Sequence, residues 1–174
     1  KDKPSIIRKN RNSLAILTGK ESKEDLLQLS NDIFQYYGLG CRSVSKLFVP
    51  TNYNFDAFFE AMYHWHPIIE GAKYANNYDY NKAVYLMSEF KMLENGFLMI
   101  KEDPSYASPI ATLFYEHYES LEGLFKVLDN DSEKIQCIVS DKLSEKHLTF
   151  GSTQTPKLDD YADGIDTVDF LLKI

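Results

Sequence analysis

The residue best placed to do chemistry is Cys41, which lies in the run at residues 37–50, YGLGCRSVSKLFVP. Gly38 and Gly40 flank it, and glycine is the residue that tight turns and close backbone approaches use. The run joins a strongly patterned helix to a short apolar strand, so it predicts a loop that presents a thiol to a substrate. A small buried cysteine is the alternative interpretation, and the local pattern leaves both open.

A nucleophilic cysteine has to ionise, which a neighbouring cation, a helix N-terminus or a base favours. Arg42 and Lys46 are the cations nearest to it in sequence, and either can equally be a solvated surface charge. No base lies nearby; His117 is a candidate acid or base, with a structural histidine as the alternative. His64 and His66 are two residues apart, which places them on different faces of a helix, and no partner stands at ligand spacing. We therefore predict no metal site.

Two other segments carry reactive or polar side chains. Cys137 lies in the run Ile135–Val139, whose apolar pattern is typical of a buried strand, so we predict core packing for it. Residues 73–81 are rich in tyrosine and asparagine and predict either the wall of a ligand cleft or a surface segment. The sequence has no Walker A motif and no G-x-G-x-x-G motif, and therefore no recognisable phosphate cradle.

The elements that position these residues alternate along the chain. Apolar runs predict strands at 13–18, 46–49, 97–100, 110–115 and 135–139. Helical spacing predicts helices at 22–37, from 54 to about 70, at 73–88 and at 120–128, whereas 167–172 fits a strand or a helix. Glu94-Asn95-Gly96 is a hairpin-type turn. This order predicts an α/β fold with an open, mostly parallel sheet and flanking helices.

Composition limits the class of protein. The chain of 174 residues is long enough for one domain with its own core. Its net charge of −7 argues against a nucleic-acid partner, which needs a basic face. Two cysteines are too few for a disulfide framework and favour free thiols in the cytoplasm. We expect no signal peptide and no transmembrane segment, and the start at Lys1 without Met predicts the C-terminal part of a longer protein.

The order of these pieces resembles the catalytic half of the aldehyde dehydrogenase superfamily. A strand at 14–17 and a helix at 24–37 lead to the loop Gly38-Leu39-Gly40-Cys41, and a strand at 47–49 follows. Gly96-Phe97-Leu98-Met99, an acidic pair, Ser108-Pro109-Ile110 and the helix at 120–128 come next in the same order. Within the superfamily the chain is most similar to acyl-CoA reductases of the bacterial luminescence type. The loop at 38–46, the polar segment at 73–81 and Asp160-Tyr161-Ala162-Asp163-Gly164 carry that similarity.

The resemblance implies a reaction and a set of site residues. Cys41 would attack an acyl thioester, carried on coenzyme A or on a protein, and its amide N–H would stabilise the oxyanion. NADPH, bound mainly by a domain upstream of Lys1, would reduce the acyl group to an aldehyde. Ser105 and Pro109 stand where the family contacts the cofactor. Ser105 is near the position of a family glutamate that contacts the nicotinamide ribose, and Glu102 is three residues too early to fill that position. A homo-oligomer is expected.

One departure from the superfamily pattern favours reduction over hydrolysis. The general-base glutamate of the superfamily precedes the cysteine, but the matching region at 9–13 here reads KNRNS and has no glutamate. Hydrolysis of a thioester needs an activated water, whereas a hydride attacks the acyl group directly. Two alternatives stay open: a short-chain acylating aldehyde dehydrogenase, and a non-catalytic α/β binding or assembly domain in which Cys41 is structural.

Overall fold

The structure is a computed structural model that describes residues 4–161 and 164–173. It contains strands β1 (Asn12–Ile16), β2 (Val44–Pro50), β3 (Met92–Glu94), β4 (Met99–Glu102), β5 (Thr112–Tyr118) and β6 (Ile135–Val139). These form a six-stranded sheet in the order β3-β4-β5-β2-β1-β6. All neighbouring pairs are parallel except β3 with β4, which is antiparallel. The expected open, mostly parallel sheet is confirmed.

Helices flank the sheet on both faces. They are α1 (Lys23–Phe34), α2 (Asp56–Met62), α3 (Ala72–Met87), α4 (Leu121–Asn130) and α5 (Thr167–Leu172), with 3-10 helices at Tyr63–Glu70 and Ser132–Lys134 and a left-handed turn at Gln35–Gly38. Among the described residues, none of the helices is both long and apolar enough to cross a bilayer.

The core is split by the alternation of side chains along the strands. On one face, Ala15 of β1, Leu17 just after it and Leu47 of β2 pack with α1, α2 and α3 in one buried cluster. On the other face, Leu14 and Ile16 pack with α4 in a second, smaller cluster. Successive strand residues point to opposite faces, which explains why the apolar runs are continuous in a sheet that is buried on both sides.

Local sequence explains where α1 begins. Ser22 accepts a hydrogen bond from the amide of Asp25 at 3.1 Å, and the Asp25 carboxylate accepts one from the amide of Ser22 at 2.9 Å. This capping box satisfies two N–H groups that a helix start leaves unpaired. The polar start of the helix thus fixes the register in which Leu26, Leu29 and Ile33 face the sheet.

The end of α1 differs from the expectation. The helix stops at Phe34 rather than at Tyr37, because Gln35 is extended (ψ 134°) and Tyr36 and Tyr37 adopt left-handed backbone angles (φ 57° and 61°). Gly38 follows at φ 70°. Three consecutive residues in this region turn the chain sharply, and only glycine enters it without steric cost.

Other boundaries follow simple signals. The Asn95-Gly96 turn connects β3 to β4, with the Asn95 side chain accepting from the amide of Leu98 at 3.0 Å. The helix expected from 54 ends at Met62 and continues as a 3-10 helix that contains Pro67, and Gly71 then caps α3. Residues 167–172 are helical, and Asp166 caps this helix by accepting from two amides.

Candidate active site

Cys41 lies exposed in a turn between the left-handed segment at Gln35–Gly38 and β2. The turn is closed by the amide of Ser43, which donates to the carbonyl of Gly40 at 2.9 Å. The Ser43 hydroxyl in return accepts from the amide of Gly40 at 3.3 Å. Because the turn immediately precedes β2, it stands at the amino-terminal edge of the parallel sheet. The expected exposure of Cys41 in a turn is confirmed.

A buried serine fixes the backbone of Cys41. Ser13, fully buried at the start of β1, donates its hydroxyl to the carbonyl of Cys41 at 2.9 Å. Within residues 4–161 and 164–173, neither the amide N–H nor the thiol of Cys41 has a hydrogen-bond partner. Cys41 therefore offers both a nucleophile and an unpaired backbone donor, and Ser13 holds the residue in place through its carbonyl.

The C-terminal segment supports the turn from the outside. Arg42 donates through Nε to the carbonyl of Thr153, and its guanidinium stands 4.0 Å from the carboxylate of Asp160. The side-chain Nε2 of Gln154 donates to the hydroxyl of Ser43 at 3.2 Å. Two residues of the turn are thus tied to a segment more than a hundred positions away.

That segment is itself anchored on a buried carboxylate. Asp32 of α1 is 1% exposed and accepts from the amide of Gly151 at 2.7 Å and the amide of Thr153 at 3.0 Å. The Thr153 hydroxyl donates a third hydrogen bond at 2.8 Å. Burial raises the pKa of Asp32, and these three donors act against the rise. The Asp32–Thr153 contact and the Arg42–Thr153 contact together fasten α1, the turn and the C-terminal segment.

The expectation that a neighbouring cation activates the thiol is not supported by the positions of the two candidates. Arg42 is engaged with Thr153 and Asp160. Lys46 is fully buried, where its ammonium contacts Glu116 at 2.7 Å and donates to the carbonyl of Asp103. Burial lowers the pKa of Lys46, and the Glu116 carboxylate opposes that change. The ammonium of Lys46 is thus paired within the sheet region by Glu116 and Asp103.

The loop that carries Ser105 and Pro109 reaches the same edge of the sheet. Ser45 donates its hydroxyl to the carbonyl of Tyr106 at 2.7 Å, which links the start of β2 to the β4–β5 connection. Ser105 is exposed and its amide donates to Asp103 at 2.9 Å, while the carbonyl of Pro109 accepts from Thr112 at 3.1 Å. The structure thus brings the Cys41 turn and this loop together through Ser45.

The histidines occupy other places. His64 and His66 lie on the 3-10 helix at Tyr63–Glu70. His117 lies near the end of β5, where its Nδ1 is 3.2 Å from the carbonyl of Pro50, at the opposite edge of the sheet. In the part of the chain that the structure describes, no group of three metal-ligating side chains comes together.

Cys137 is buried in β6, as its sequence context predicted. Burial raises the pKa of its thiol. Its strand is paired with β1, and Ser13 of β1 lies beside the Cys137 thiol as well as the Cys41 carbonyl. The exposed thiol, open to a substrate, is therefore Cys41.

Sequence reasoning missed the network that holds the turn: Ser13, Asp32, Thr153 and Gln154. One signal was present, since Asp32 lies on α1 between Leu29 and Ile33, and an acidic residue on the apolar face of a helix needs buried donors. The polar segment at 73–81 lies on α3, where Lys73, Tyr74, Asn76 and Asn77 line a cleft. Lys73, Asn76, Asp79 and Tyr80 are also exposed, so the segment is both at the surface and beside a cleft.

Comparison of the sequence with models of protein families and with curated proteins gave no match. The fold is similar to that of solved aldehyde dehydrogenases. An indole-3-acetaldehyde dehydrogenase from Pseudomonas syringae, a cysteine-to-alanine variant in complex with NAD+ and IAA, superposes with a TM-score of 0.55 at 10% identity, over 79% of this chain and 35% of that one.

Two more enzymes give the same result. The Δ-pyrroline-5-carboxylate dehydrogenase from Mycobacterium tuberculosis has a TM-score of 0.52 at 13% identity, covering 79% of this chain and 31% of its own. The aldehyde dehydrogenase KauB from Pseudomonas aeruginosa has a TM-score of 0.51 at 11% identity, covering 76% and 33%. The chain therefore has the fold of an aldehyde dehydrogenase catalytic domain and spans about a third of the length of these enzymes.

Proposed function

We propose that this chain is the catalytic-cysteine domain of an oxidoreductase that reduces a fatty acyl thioester to an aldehyde with NADPH. The observation that carries the proposal is the exposed Cys41 turn, with a free amide N–H and a carbonyl held by Ser13, on a sheet of aldehyde dehydrogenase fold. The acyl donor is acyl-CoA or an acyl-protein thioester.

The first step is acyl transfer to Cys41. The thiolate attacks the thioester carbonyl carbon, the new C–S bond forms, and the bond to the donor's sulfur breaks. The donor leaves as a thiolate and takes up a proton from water. The amide N–H of Cys41 donates to the oxyanion during this step, and one such donor typically accounts for about 10²–10³ in rate.

The surroundings of Cys41 favour reduction of the acyl-enzyme over its hydrolysis. Over the described residues, no carboxylate and no imidazole is hydrogen bonded to the Cys41 thiol, and the region at 9–13 has no glutamate to activate a water. Without an activated water, a thioester on Cys41 persists long enough for reduction.

We assign one end of a nicotinamide cofactor to the loop that carries Ser105 and Pro109. Ser105 and Pro109 are exposed on the loop that Ser45 ties to β2, so their surface is open beside the turn. Neither is charged, and the sequence offers no glycine-rich cradle for a diphosphate, so we assign the rest of the cofactor to a separate dinucleotide-binding domain upstream. When bound, NADPH would supply a hydride to the acyl carbon. The C–S bond to Cys41 then breaks, which releases the aldehyde and returns the thiolate.

The test is acylation of Cys41 in the full-length protein that carries this chain. Incubation with radiolabelled acyl-CoA, without NADPH, should leave a hydroxylamine-labile label that survives denaturing electrophoresis. Cys41→Ser should abolish the label, because a serine hydroxyl without a base is almost un-ionised at neutral pH. Cys137→Ser is the matched control and should keep it.

The same experiment separates the alternatives. An unlabelled wild-type protein, or a label of wild-type level on the Cys41→Ser variant, would contradict the proposal and favour a structural Cys41. A label confined to short acyl groups would instead favour a short-chain acylating aldehyde dehydrogenase.

A further inference from the structure

The segment that leads into Cys41 exposes large apolar side chains. Tyr36, Tyr37 and Leu39 are 65%, 55% and 67% exposed, although each would gain by burial. Tyr36 and Tyr37 also hold left-handed backbone angles, which are unfavourable for residues with a Cβ. These side chains do not belong to either core cluster, so core packing does not explain their type.

A cleft of about 530 Å³ opens between this segment and the start of α3, and we call it the α3 groove. Its apolar lining comes from Tyr37, Leu39, Tyr74 and Ile110, and Gly71 adds no side chain to it. This volume is within the range of sites that hold small molecules.

A second cleft of about 530 Å³ lies on the other side of the same segment, and we call it the Trp65 groove. Phe34, Tyr36, Trp65 and Ile68 line it together with Tyr37. Tyr37 thus belongs to both grooves. Its ring also reaches toward Gly71, where a Cβ would stand 3.8 Å from the Tyr37 Cε1 atom.

From these contacts we propose that the α3 groove holds the acyl chain of the substrate and that Tyr37 is the specificity-determining residue that limits its length. The inference rests on the proposed acyl transfer to Cys41. Leu39 lines the groove and is two residues from Cys41, so the backbone limits their Cα atoms to a separation of about 7 Å, which is within the reach of an acyl chain on the thiol. Because Tyr37 lines both grooves, its ring would stand between an acyl chain in the α3 groove and the Trp65 groove.

The test compares acyl chains of increasing length in the full-length protein. The rate of acylation of Cys41 is measured for a ten-carbon and a sixteen-carbon acyl-CoA, and their ratio is taken. Tyr37→Gly removes the ring, keeps the left-handed backbone accessible and joins the grooves. It should raise the sixteen-carbon to ten-carbon ratio by at least about tenfold, since single methylenes in apolar pockets already change rates by such factors.

Two further variants are compared: one that should leave the ratio unchanged and one that should block the α3 groove. Tyr36→Gly relieves the same backbone conformation but borders the Trp65 groove alone, so its ratio should equal that of the wild type. Leu39→Trp fills the entrance of the α3 groove from an exposed position, so it should lower acylation by both acyl groups while alkylation of Cys41 by iodoacetamide stays unchanged.

The outcomes distinguish this inference from the proposed function. If wild-type Cys41 is acylated but Tyr37→Gly and Leu39→Trp leave all acylation rates unchanged, the α3 groove is not the acyl site and the proposed function still stands. If wild-type Cys41 is not acylated at all, both fail. A tenfold or larger rise confined to Tyr37→Gly, together with slower acylation in Leu39→Trp, supports the assignment.

Discussion

At the scale of single residues, the candidate site depends on how the backbone of Cys41 is held rather than on a side-chain base. Ser13 fixes the carbonyl of Cys41 from the buried side of β1, and the amide N–H on the same residue remains unpaired among the described residues. A backbone donor in a fixed position needs no reorganisation when charge develops on the substrate oxygen, which is the condition for effective oxyanion stabilisation.

Ser13→Ala should therefore slow acylation of Cys41 more than it destabilises the fold. Loss of one hydrogen bond costs about 1 kcal/mol in the free energy of unfolding. Loosening of the turn should lower the acylation rate by about tenfold to a hundredfold, because small displacements of a reacting group have effects of that size. The rate of hydroxylamine-labile labelling measures the change in acylation, and urea unfolding of the same variant measures the change in the free energy of unfolding. Equal rates in the variant and the wild type would show that Ser13 is only a packing residue.

Asp32 gives the fold a pH dependence of defined sign. Its pKa is raised above the ordinary value of 3.8, chiefly by burial, so the folded state holds this proton more tightly than the unfolded chain does. Its contribution to the free energy of unfolding is greatest below that ordinary value and falls as pH rises through the folded pKa.

The difference in the free energy of unfolding between the wild type and Asp32→Asn should consequently become smaller as pH rises from about 4 to about 7. Asparagine does not titrate, so subtraction of the two curves isolates Asp32 from the other carboxylates. Urea denaturation at several pH values measures this. A difference that grew with pH would mean that the hydrogen bonds from Gly151 and Thr153 outweigh burial.

At the scale of elements, the C-terminal segment acts as a support for the turn. Gly151 is the point where it meets α1: its φ is +81°, and a Cβ there would stand 2.6 Å from the Gln28 Oε1 atom. Its amide also donates to Asp32. The conformation and the space both select glycine at this position.

Gly151→Ala should lower the free energy of unfolding by roughly 1–3 kcal/mol, the cost of a strained backbone conformation, with a further cost from the displaced Gln28 side chain. Gly96→Ala is the matched control, because Gly96 also has positive φ (+93°) but nothing lies within 4 Å of its Cβ position. Thermal unfolding of both variants provides the comparison. If Gly151→Ala were no more destabilising than Gly96→Ala, the contact with α1 would not matter.

At the scale of the whole molecule, the parts that the sequence predicted well are those with local causes. The strand at Ile135–Val139 matches its apolar run, and α1 begins at its capping box. The support of the turn has no such local cause, since Asp32 and Thr153 are 121 residues apart and a carboxylate does not specify its donors in advance. The same reasoning explains Lys46, whose burial depends on Glu116 of a neighbouring strand. Exposure of Cys41 was predictable because Gly38 and Gly40, which flank it closely in sequence, indicate a turn.

At this scale we also predict that the chain, with its own sheet and two core layers, can accept an acyl group without being able to reduce it. Ser13 and Thr153 of this chain contact Cys41 and Arg42 of the turn, whereas the sequence has no glycine-rich phosphate cradle. The 174-residue chain alone should fold, as measured by circular dichroism and cooperative urea unfolding, and accept a hydroxylamine-labile acyl group on Cys41. It should not oxidise NADPH when acyl-CoA is added. Steady oxidation of NADPH by this chain would contradict the division, because cofactor binding would then have to arise from residues such as Ser105 and Pro109 without a separate dinucleotide-binding domain.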